Sequence, residues 1–184
     1  MTIDPSIFKA YDIRGLYPEQ LNPEVARRVG RAFVDYLGAG KIAVGRDCRL
    51  SSPELAGALV EGARSQGCDV VDVGVVGTDI LYYSVASRDL EGGVIVTASH
   101  NPKEWNGFKL VRRGALALSG DAGIGEIRDA VTGSRYSDSA PASGDLESAS
   151  LVEEFPRLCL SFIETGDWAR LKVFLVTANG MGEV

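Results

Sequence analysis

The first regular pattern of hydrophobic positions follows Asn22 and Pro23. Asn22 suits the cap of a helix, and Pro23 suits its first helical position. Apolar residues then recur at helical spacing until Gly38 or Gly40, where such a run can end. This pattern predicts a helix over about residues 23–37.

Short apolar runs then alternate with further helical patterns. The predicted strands are residues 41–45, 69–76 and 94–97, and the predicted helices are residues 51–67, 79–88 and 120–131. Strands that alternate with helices predict a parallel sheet covered on both faces. Two more apolar runs, 107–111 and 115–118, flank Arg112-Arg113-Gly114 and predict a hairpin beside that sheet.

The pattern changes after Val131. Residues 132–150 are crowded with small and polar residues and lack an apolar period, which is typical of a linker or a long exposed loop. Beyond them we expect a helix over about 151–165 and a strand over 171–177 that runs into a glycine-containing turn. Because such a turn normally opens a βα unit, residues 151–184 are interpreted as the incomplete start of a second α/β domain.

Composition and charge narrow the function classes. With 184 residues, the chain has room for one domain and part of another. Its net charge of −6 argues against a nucleic-acid partner and gives no polybasic membrane patch. No early apolar run resembles a signal peptide and none is long enough to span a membrane, so we expect a cytoplasmic protein. Three cysteines far apart in sequence predict neither a disulfide framework nor a zinc site.

Candidate chemistry is concentrated after the third predicted strand. Residues 97–102 read Thr-Ala-Ser-His-Asn-Pro and come directly after the apolar run Gly92–Val96. A strand that runs into a small polar loop can hold the hydroxyl of Ser99 at a fixed place on a rigid edge, as a nucleophile requires. Ser99 and Asn101 could instead only bond the backbone of an Asn-Pro turn. Both readings remain open on these residues alone.

A serine hydrolase is one way to use Ser99 beside His100, the single histidine of the chain. Adjacent residues on an extended segment point to opposite sides, so His100 is badly placed to take the proton of Ser99. The Gly-x-Ser-x-Gly elbow of many such enzymes is also missing. The sequence therefore argues against a hydrolase triad.

Basic residues gather around the predicted strand ends. They are Lys9 and Arg14 in the segment 8–15, Arg46 and Arg49 after the strand 41–45, and Lys109, Arg112 and Arg113 downstream of Ser99. The segment 8–15 is too short and mixed for a core helix, and we expect a ligand-facing loop there. Open α/β sheets bind ligands at the carboxyl ends of their strands. Each cation alone could be a solvated surface charge, but their grouping in an acidic protein predicts a phosphate-bearing ligand, because guanidinium groups complement phosphate oxygens.

Four segments resemble the alpha-D-phosphohexomutase superfamily, most closely its phosphomannomutase/phosphoglucomutase branch. They are Lys9-Ala10-Tyr11-Asp12-Ile13-Arg14-Gly15, Gly45-Arg46-Asp47 with Arg49-Leu50-Ser51-Ser52-Pro53, Thr97-Ala98-Ser99-His100-Asn101-Pro102, and Asn106-Gly107-Phe108-Lys109. The resemblance covers residues 1–131 and resumes weakly over 171–182. It implies a three-layer αβα sandwich with a mixed, mainly parallel sheet over residues 1–131, a linker over 132–150, and the truncated start of a second domain over 151–184.

The resemblance also implies a reaction. The chain would be the phosphoserine-bearing N-terminal domain of an isomerase that interconverts hexose 1-phosphate and hexose 6-phosphate through a hexose 1,6-bisphosphate. Its small-molecule partner would be a mannose or glucose phosphate. An alternative is a non-catalytic, truncated binding or oligomerisation module derived from the same family.

The same resemblance implies roles for individual residues. Ser99 would carry the phosphoryl group and Arg14 would face it. His100 and Lys109 would lie where a proton passes to or from the sugar hydroxyl, a general acid/base task. The predicted substrate-binding residues are Tyr11, Asn101, Lys9 and Arg46, with Arg49 as a further supporting charge.

The departures from the family pattern limit the chain. The family holds Mg²⁺ through the phosphoserine and an aspartate-rich Asp-Gly-Asp-Gly-Asp-Arg loop, and this sequence contains no such loop. Ser99, through its phosphate, would be the one metal ligand that the chain supplies. The sugar-recognition and C-terminal phosphate-binding loops are also absent, so we predict that the chain alone is inactive.

The predicted terminal strand raises a question of assembly. A single strand over 171–177 would leave backbone groups and an apolar face without a partner unless it finds the edge of a sheet. We therefore expect a homodimer that involves residues 150–184.

Overall fold

The computed structural model describes residues 2–164, 166, 169–177 and 180–182. Its strands are β1 (Ile13–Leu16), β2 (Lys41–Arg46), β3 (Asp69–Val75), β4 (Gly92–Val96), β5 (Trp105–Arg112), β6 (Leu116–Ala117) and β7 (Leu146–Ser148). Its α-helices are α1 (Pro23–Leu37), α2 (Ser52–Ser65), α3 (Thr78–Ser87), α4 (Ile124–Gly133) and α5 (Glu154–Ser161). No helix in these residues is long and apolar enough to cross a membrane.

The strands form one mixed sheet in the order β1-β5-β4-β2-β3-β7, with β6 paired to β5. Strands β4, β2, β3 and β7 run parallel to their neighbours in that part of the sheet. Strand β5 is antiparallel to β4, β1 and β6. The predicted mixed, mainly parallel sheet and the predicted hairpin are both confirmed.

Two hydrophobic cores cover the two faces of the sheet. One joins the apolar faces of α1, α2 and α4 to the sheet and includes the fully buried Phe33 and Phe108. The other packs α3 against the opposite face and includes Leu81 and Ile95. These layers confirm the predicted three-layer αβα sandwich.

Local sequence explains the first helix pair. The Asn22 side chain accepts hydrogen bonds from the backbone N–H groups of Glu24 and Val25, so it caps α1 as predicted. At the crossing of α1 and α2, a Cβ on Gly30 would lie 2.2 Å from the carbonyl oxygen of Leu59. Glycine at position 30 therefore permits α1 and α2, which cover one face of the sheet, to approach each other closely.

Two strands were not predicted. The segment 8–15 was expected to be a ligand-facing loop, yet Ile13–Leu16 is β1, because β5 offers it an antiparallel partner. Residues 132–150 were expected to form a linker or exposed loop, yet Leu146–Ser148 is β7 and pairs with the edge of β3. The prediction of a loop is wrong at these two strands, whereas residues 134–145 lie outside helices and strands, as expected. The division into a domain, a linker and a second domain stays a prediction.

The predicted strand over 171–177 is also wrong, since these residues form no strand with any described part of the chain. Their side chains are exposed at most positions, Phe174 for example to 91%. The segment has strand-forming residues but no described neighbour to supply hydrogen bonds. The preceding predicted helix is confirmed in its central part as α5, and Thr165, Ala178 and Asn179 lie outside the described residues.

Candidate active site

The segment after β4, residues 97–105, ends on Trp105, the first residue of β5, and is called the serine loop below. It begins at the carboxyl edge of the parallel strands. Ser99 has a left-handed backbone with φ of 55°, and its side chain is exposed. The hydroxyl of Thr97 accepts a hydrogen bond from the Ser99 N–H at 2.9 Å, and Asn101 N–H donates to the carbonyl of Ala98 at 3.1 Å. The loop is thus a tight turn that presents Ser99 at its tip, as the sequence predicts.

Ser99 and His100 are closer than the sequence argument allowed. The Ser99 Oγ lies 3.2 Å from Nδ1 of His100. The expectation that the two side chains point apart assumed an extended segment, and it is wrong because the left-handed Ser99 turns the chain. No carboxylate in the described structure accepts a hydrogen bond from His100, so the third member of a hydrolase triad is not found there.

Arg14 reaches the serine loop from β1. Strand β1 pairs with β5 so that Arg14 lies opposite Gly107. A Cβ on residue 107 would stand 2.3 Å from the carbonyl oxygen of Ile13, so glycine is needed for this approach. The guanidinium then donates from Nη1 to Oδ1 of Asn101 at 2.9 Å and from Nη2 to Asp12. Its Nε is buried without a partner in the described structure.

Arg49 is the main brace of the serine loop. Its Nη1 donates to the carbonyl oxygens of Pro102 and Trp105, at 2.8 and 3.1 Å. Its Nη2 donates to the carbonyl oxygens of Ser99 and Asn101, at 2.8 and 2.7 Å. The sequence predicted only a supporting charge here, whereas the structure shows four hydrogen bonds from one side chain to the loop backbone.

A buried polar network stands behind Arg49 and was missed by sequence reasoning. Asp47 accepts from the backbone N–H and Nε of Arg49, and also from the hydroxyl of Ser52. The fully buried Asn106 donates to the hydroxyls of Ser51 and Ser52, at 2.7 and 3.0 Å. Asp47 and Asn106 fall within the motifs that the sequence singled out, and a buried polar residue inside an apolar strand is the signal that could have found Asn106.

Other predicted site residues form no described hydrogen bond with the serine loop. Lys9 and Tyr11 are on an exposed turn that is closed by a hydrogen bond from Lys9 N–H to the carbonyl of Asp12. Arg46 pairs with Asp72 on β3, through Nη1 at 3.2 Å, and has no hydrogen bond to the loop. The structure therefore brings Ser99, His100, Asn101 and Arg14 together and leaves Lys9, Tyr11 and Arg46 outside that cluster.

Lys109 lies on β5 opposite Ile95 of β4. Residues directly opposite in an antiparallel pair lie on the same face of the sheet, so Lys109 is on the face that carries α3. Ile95 lines a cavity beside the serine loop. Lys109 is therefore on the cavity side of the sheet, with no hydrogen bond to the serine loop.

That cavity has a volume of about 860 Å³. Its walls include Ser99, Asn101 and Arg49 from the site, and Met181 near the end of the chain. Tyr17 also lines it, and its hydroxyl donates to Glu54. This hydrogen bond raises the pKa of Tyr17, because the phenolate would lose the bond and face a carboxylate. The volume is in the range of small-molecule sites.

A magnesium ion needs about six oxygen ligands, several of them water or carboxylate. Among the described residues, no group of three or more Asp, Glu, His or Cys side chains could hold a metal ion. The Ser99 hydroxyl alone does not make such a site, so the described residues do not fit Mg²⁺ by themselves. The prediction that other ligands come from outside this chain stays a prediction.

Known proteins resemble this chain in sequence. A family model described as phosphoglucomutase/phosphomannomutase, alpha/beta/alpha domain I, matches residues 5–136. A phosphomannomutase of Escherichia coli is 40% identical over 175 residues, which is 94% of this chain and 38% of that protein. A phosphomannomutase of Klebsiella pneumoniae is 44% identical over 149 residues, which is 80% of this chain and 95% of that protein.

A solved structure is also similar. It is that of a phosphoglucomutase/phosphomannomutase family protein from Burkholderia thailandensis, with a TM-score of 0.81 and 38% sequence identity. The match covers 89% of this chain and 37% of that one. The chain thus spans less than half the length of this relative and of the relative from Escherichia coli.

Proposed function

The chain belongs to the phosphoglucomutase/phosphomannomutase family, and from that premise we propose that it is the phosphoserine-bearing part of a phosphohexomutase. Ser99 is the residue that carries the phosphoryl group. The substrates are mannose or glucose 1- and 6-phosphates, and a hexose 1,6-bisphosphate is the intermediate and activator. The setting is cytoplasmic, and Mg²⁺ belongs to the complete enzyme.

The proposed reaction moves one phosphoryl group at a time. The P–O bond to Ser99 breaks as a sugar hydroxyl attacks phosphorus, and the hydroxyl proton passes to a base. The resulting bisphosphate then returns its other phosphoryl group to Ser99, with release of the second monophosphate. His100 is a candidate for the proton transfer because its Nδ1 lies 3.2 Å from Ser99 Oγ. Lys109 is a second candidate on the cavity side of the sheet.

The observation that carries this proposal is an exposed Ser99 in a loop that Arg14, an arginine with unpaired donors, contacts through Asn101. A guanidinium has five N–H groups. Arg14 uses one for Asn101 and one for Asp12, which leaves three without a described partner. Phosphoryl transfer depends mainly on positioning and on neutralising the charge of the phosphate oxygens. The two unpaired Nη hydrogens of Arg14 can serve this purpose at the serine loop, whereas its Nε is buried.

The direct test is phosphoryl uptake. We expect the folded chain to gain the mass of one phosphoryl group when incubated with glucose 1,6-bisphosphate, and Ser99→Ala to gain none. Ser87→Ala is a matched control, because Ser87 is an exposed serine at the other end of α3 from the cavity. Uptake that persists in Ser99→Ala would contradict the proposal, and no uptake by the folded wild-type chain would show that the chain does not accept a phosphoryl group by itself.

A second candidate function is favoured by the exposed apolar residues near the end of the chain. In this reading the chain is a truncated binding or oligomerisation module, and residues 150–184 form a homodimer contact. Phe174 and Val173 are exposed to 91% and 78%, and such a hydrophobic patch is typical of an interaction surface. Light scattering should then show a dimer that Phe174→Asp dissociates and that the control Leu116→Asp, in β6, leaves intact. A monomeric wild-type chain would refute this reading.

A further inference from the structure

Arg49 has no donor left for a ligand. Its five N–H groups are matched by five acceptors, namely the carbonyl oxygens of Ser99, Asn101, Pro102 and Trp105 and the carboxylate of Asp47. A guanidinium offers five N–H groups and no more. To bind a phosphate, Arg49 would first have to release part of the serine loop.

This donor count separates the two arginines that contact the serine loop. Arg14 donates once to the loop, through the side chain of Asn101, and keeps three N–H groups without a described partner. Arg49 donates four times to the loop, always to backbone carbonyls. Both residues carry a positive charge. They differ in the acceptors of their N–H groups, because those of Arg49 are all bonded within the protein and three of those of Arg14 have no described partner.

The bonds of Arg49 span the serine loop and its junction with β5. They reach from Ser99, at the tip, to Trp105, the first residue of β5. Hydrogen bonds from charged donors are stronger than neutral ones. Four such bonds to one rigid planar group fix the relative positions of four successive parts of the loop.

The guanidinium is itself held from behind. Asp47 is buried and accepts from Arg49 Nε at 3.2 Å, while its own N–H donates to the carbonyl of Val96 at 2.9 Å. Ser52, the first residue of α2, donates to the same carboxylate. The brace is therefore anchored to β4 and to the start of α2, which are packed parts of the fold.

We propose that Arg49 is a positioning residue that fixes the serine loop, so that the hydroxyl of Ser99 is presented at one place for phosphoryl transfer. Its part in catalysis rests on the proposed function. Its part in ordering the loop does not, because that follows from the five hydrogen bonds alone.

Amide hydrogen exchange tests the ordering directly. In Arg49→Met, the amides of Ser99, Asn101 and Trp105 should exchange about tenfold faster or more, as expected for the loss of charge-assisted hydrogen bonds. The amides of β4 and α2 should exchange as in the wild type. Arg64→Met is the matched control, because Arg64 also donates to a backbone carbonyl, that of Gly144, but at the far end of α2. Unchanged loop exchange in Arg49→Met would overturn the proposal.

Kinetics of Ser99 phosphorylation separate positioning from binding. At saturating glucose 1,6-bisphosphate, Arg49→Met should slow the maximal rate by about 10- to 100-fold, the scale of a misplaced reacting group. The half-saturating concentration should not change. Arg49→Lys should be as slow as Arg49→Met, because one ammonium group cannot reach four separate carbonyls. A raised half-saturating concentration, or a rate restored by lysine, would show that Arg49 acts through its charge and would overturn the proposal.

The two measurements also distinguish this inference from its premise. If the wild-type chain takes up no phosphoryl group, phosphoryl acceptance by the chain alone is refuted, and the exchange experiment still decides whether Arg49 orders the loop. Circular dichroism and thermal melting of each variant identify a global loss of structure. If Arg49→Met does not fold, Arg49→Lys serves in the exchange experiment, with the same expected loss of loop protection.

Discussion

Strand β3 and the C-terminal segment over 171–177 both contain several strand-forming residues but have different structures. Both are rich in valine, a residue that favours strands. Strand β3 lies between β2 and β7, and its Val70 and Val71 are buried. The C-terminal segment has no described strand partner, and its Val173 is exposed.

The difference shows what a strand-forming sequence can and cannot determine. Valine-rich residues fit a pleated, half-buried surface, but the neighbouring strand supplies the hydrogen bonds and the packed layers supply the burial. The contribution of an apolar residue to the free energy of unfolding should therefore depend more on its strand pairing and burial than on its residue type. This comparison can be tested by making the same substitution on a partnered and on an unpartnered surface.

The largest effect is expected when the same substitution is made at two phenylalanines, one buried and one exposed. Phe108→Ala in β5 should lower the free energy of unfolding by about 3–5 kcal/mol, because it leaves a cavity in the core. Phe174→Ala in the C-terminal segment should change it by no more than about 0.5 kcal/mol, since that side chain is exposed. Urea denaturation followed by circular dichroism measures both. A comparable loss in Phe174→Ala would mean that this residue is buried in solution. It would contradict the contrast between the partnered β3 and the unpartnered C-terminal segment.

A smaller effect is expected from two glycines of α2. A Cβ on Gly62 would lie 2.0 Å from the carbonyl oxygen of Arg27 in α1, so Gly62→Ala should cost about 1–3 kcal/mol through overpacking. A Cβ on Gly57 would meet nothing within 4 Å, so Gly57→Ala should gain about 0.5–1 kcal/mol from helix propensity. Thermal unfolding of the two variants gives the sign of each change. Stabilisation by both would show that α1 and α2 do not pack closely.

The same dependence on partners explains which parts of the fold could be predicted. The pattern for α1 succeeded because its cap and apolar face are local signals. Strand β1 was not predicted because it is only four residues long and contains Arg14. Its pairing with β5 decides its structure. Strand β7, Leu-Glu-Ser, has exposed side chains and no strand pattern, and its backbone pairing with the edge of β3 decides its structure.

The candidate site divides in the same way. Ser99, Arg14 and Asn101 were predicted because their side chains carry the family motifs. The brace by Arg49 could not be predicted, since its acceptors are backbone carbonyls, which every residue has and no motif marks. The contact of Ser99 with His100 was not expected, because an extended segment was assumed, and the positive φ of Ser99 has no unambiguous signal in the sequence.

The smallest expected effect concerns two ion pairs that differ in length and in exposure. Glu24, in the first turn of α1, accepts from Arg28 Nε at 2.8 Å, and this hydrogen bond holds the pKa of Glu24 below its ordinary value. On α5, the pair of Glu153 with Arg157 is longer, at 3.5 Å, and more exposed. Glu24→Gln should therefore lower the free energy of unfolding more than Glu153→Gln does, by at most about 0.5 kcal/mol at about pH 7, because the Glu24 side chain is itself partly exposed.

The pH dependence of Glu24→Gln gives the sign of this effect. A carboxyl group whose pKa is lowered by folding stabilises the protein above its unfolded-state pKa and loses that contribution as the pH falls through its folded-state pKa. The difference between wild type and Glu24→Gln should thus be present at neutral pH and disappear below the ordinary glutamate pKa of 4.5. Chemical denaturation across this range measures it. A difference that grows as the pH falls would show that Arg28 does not stabilise the charged form of Glu24. The Glu24–Arg28 pair would then contribute no more to the free energy of unfolding than the Glu153–Arg157 pair.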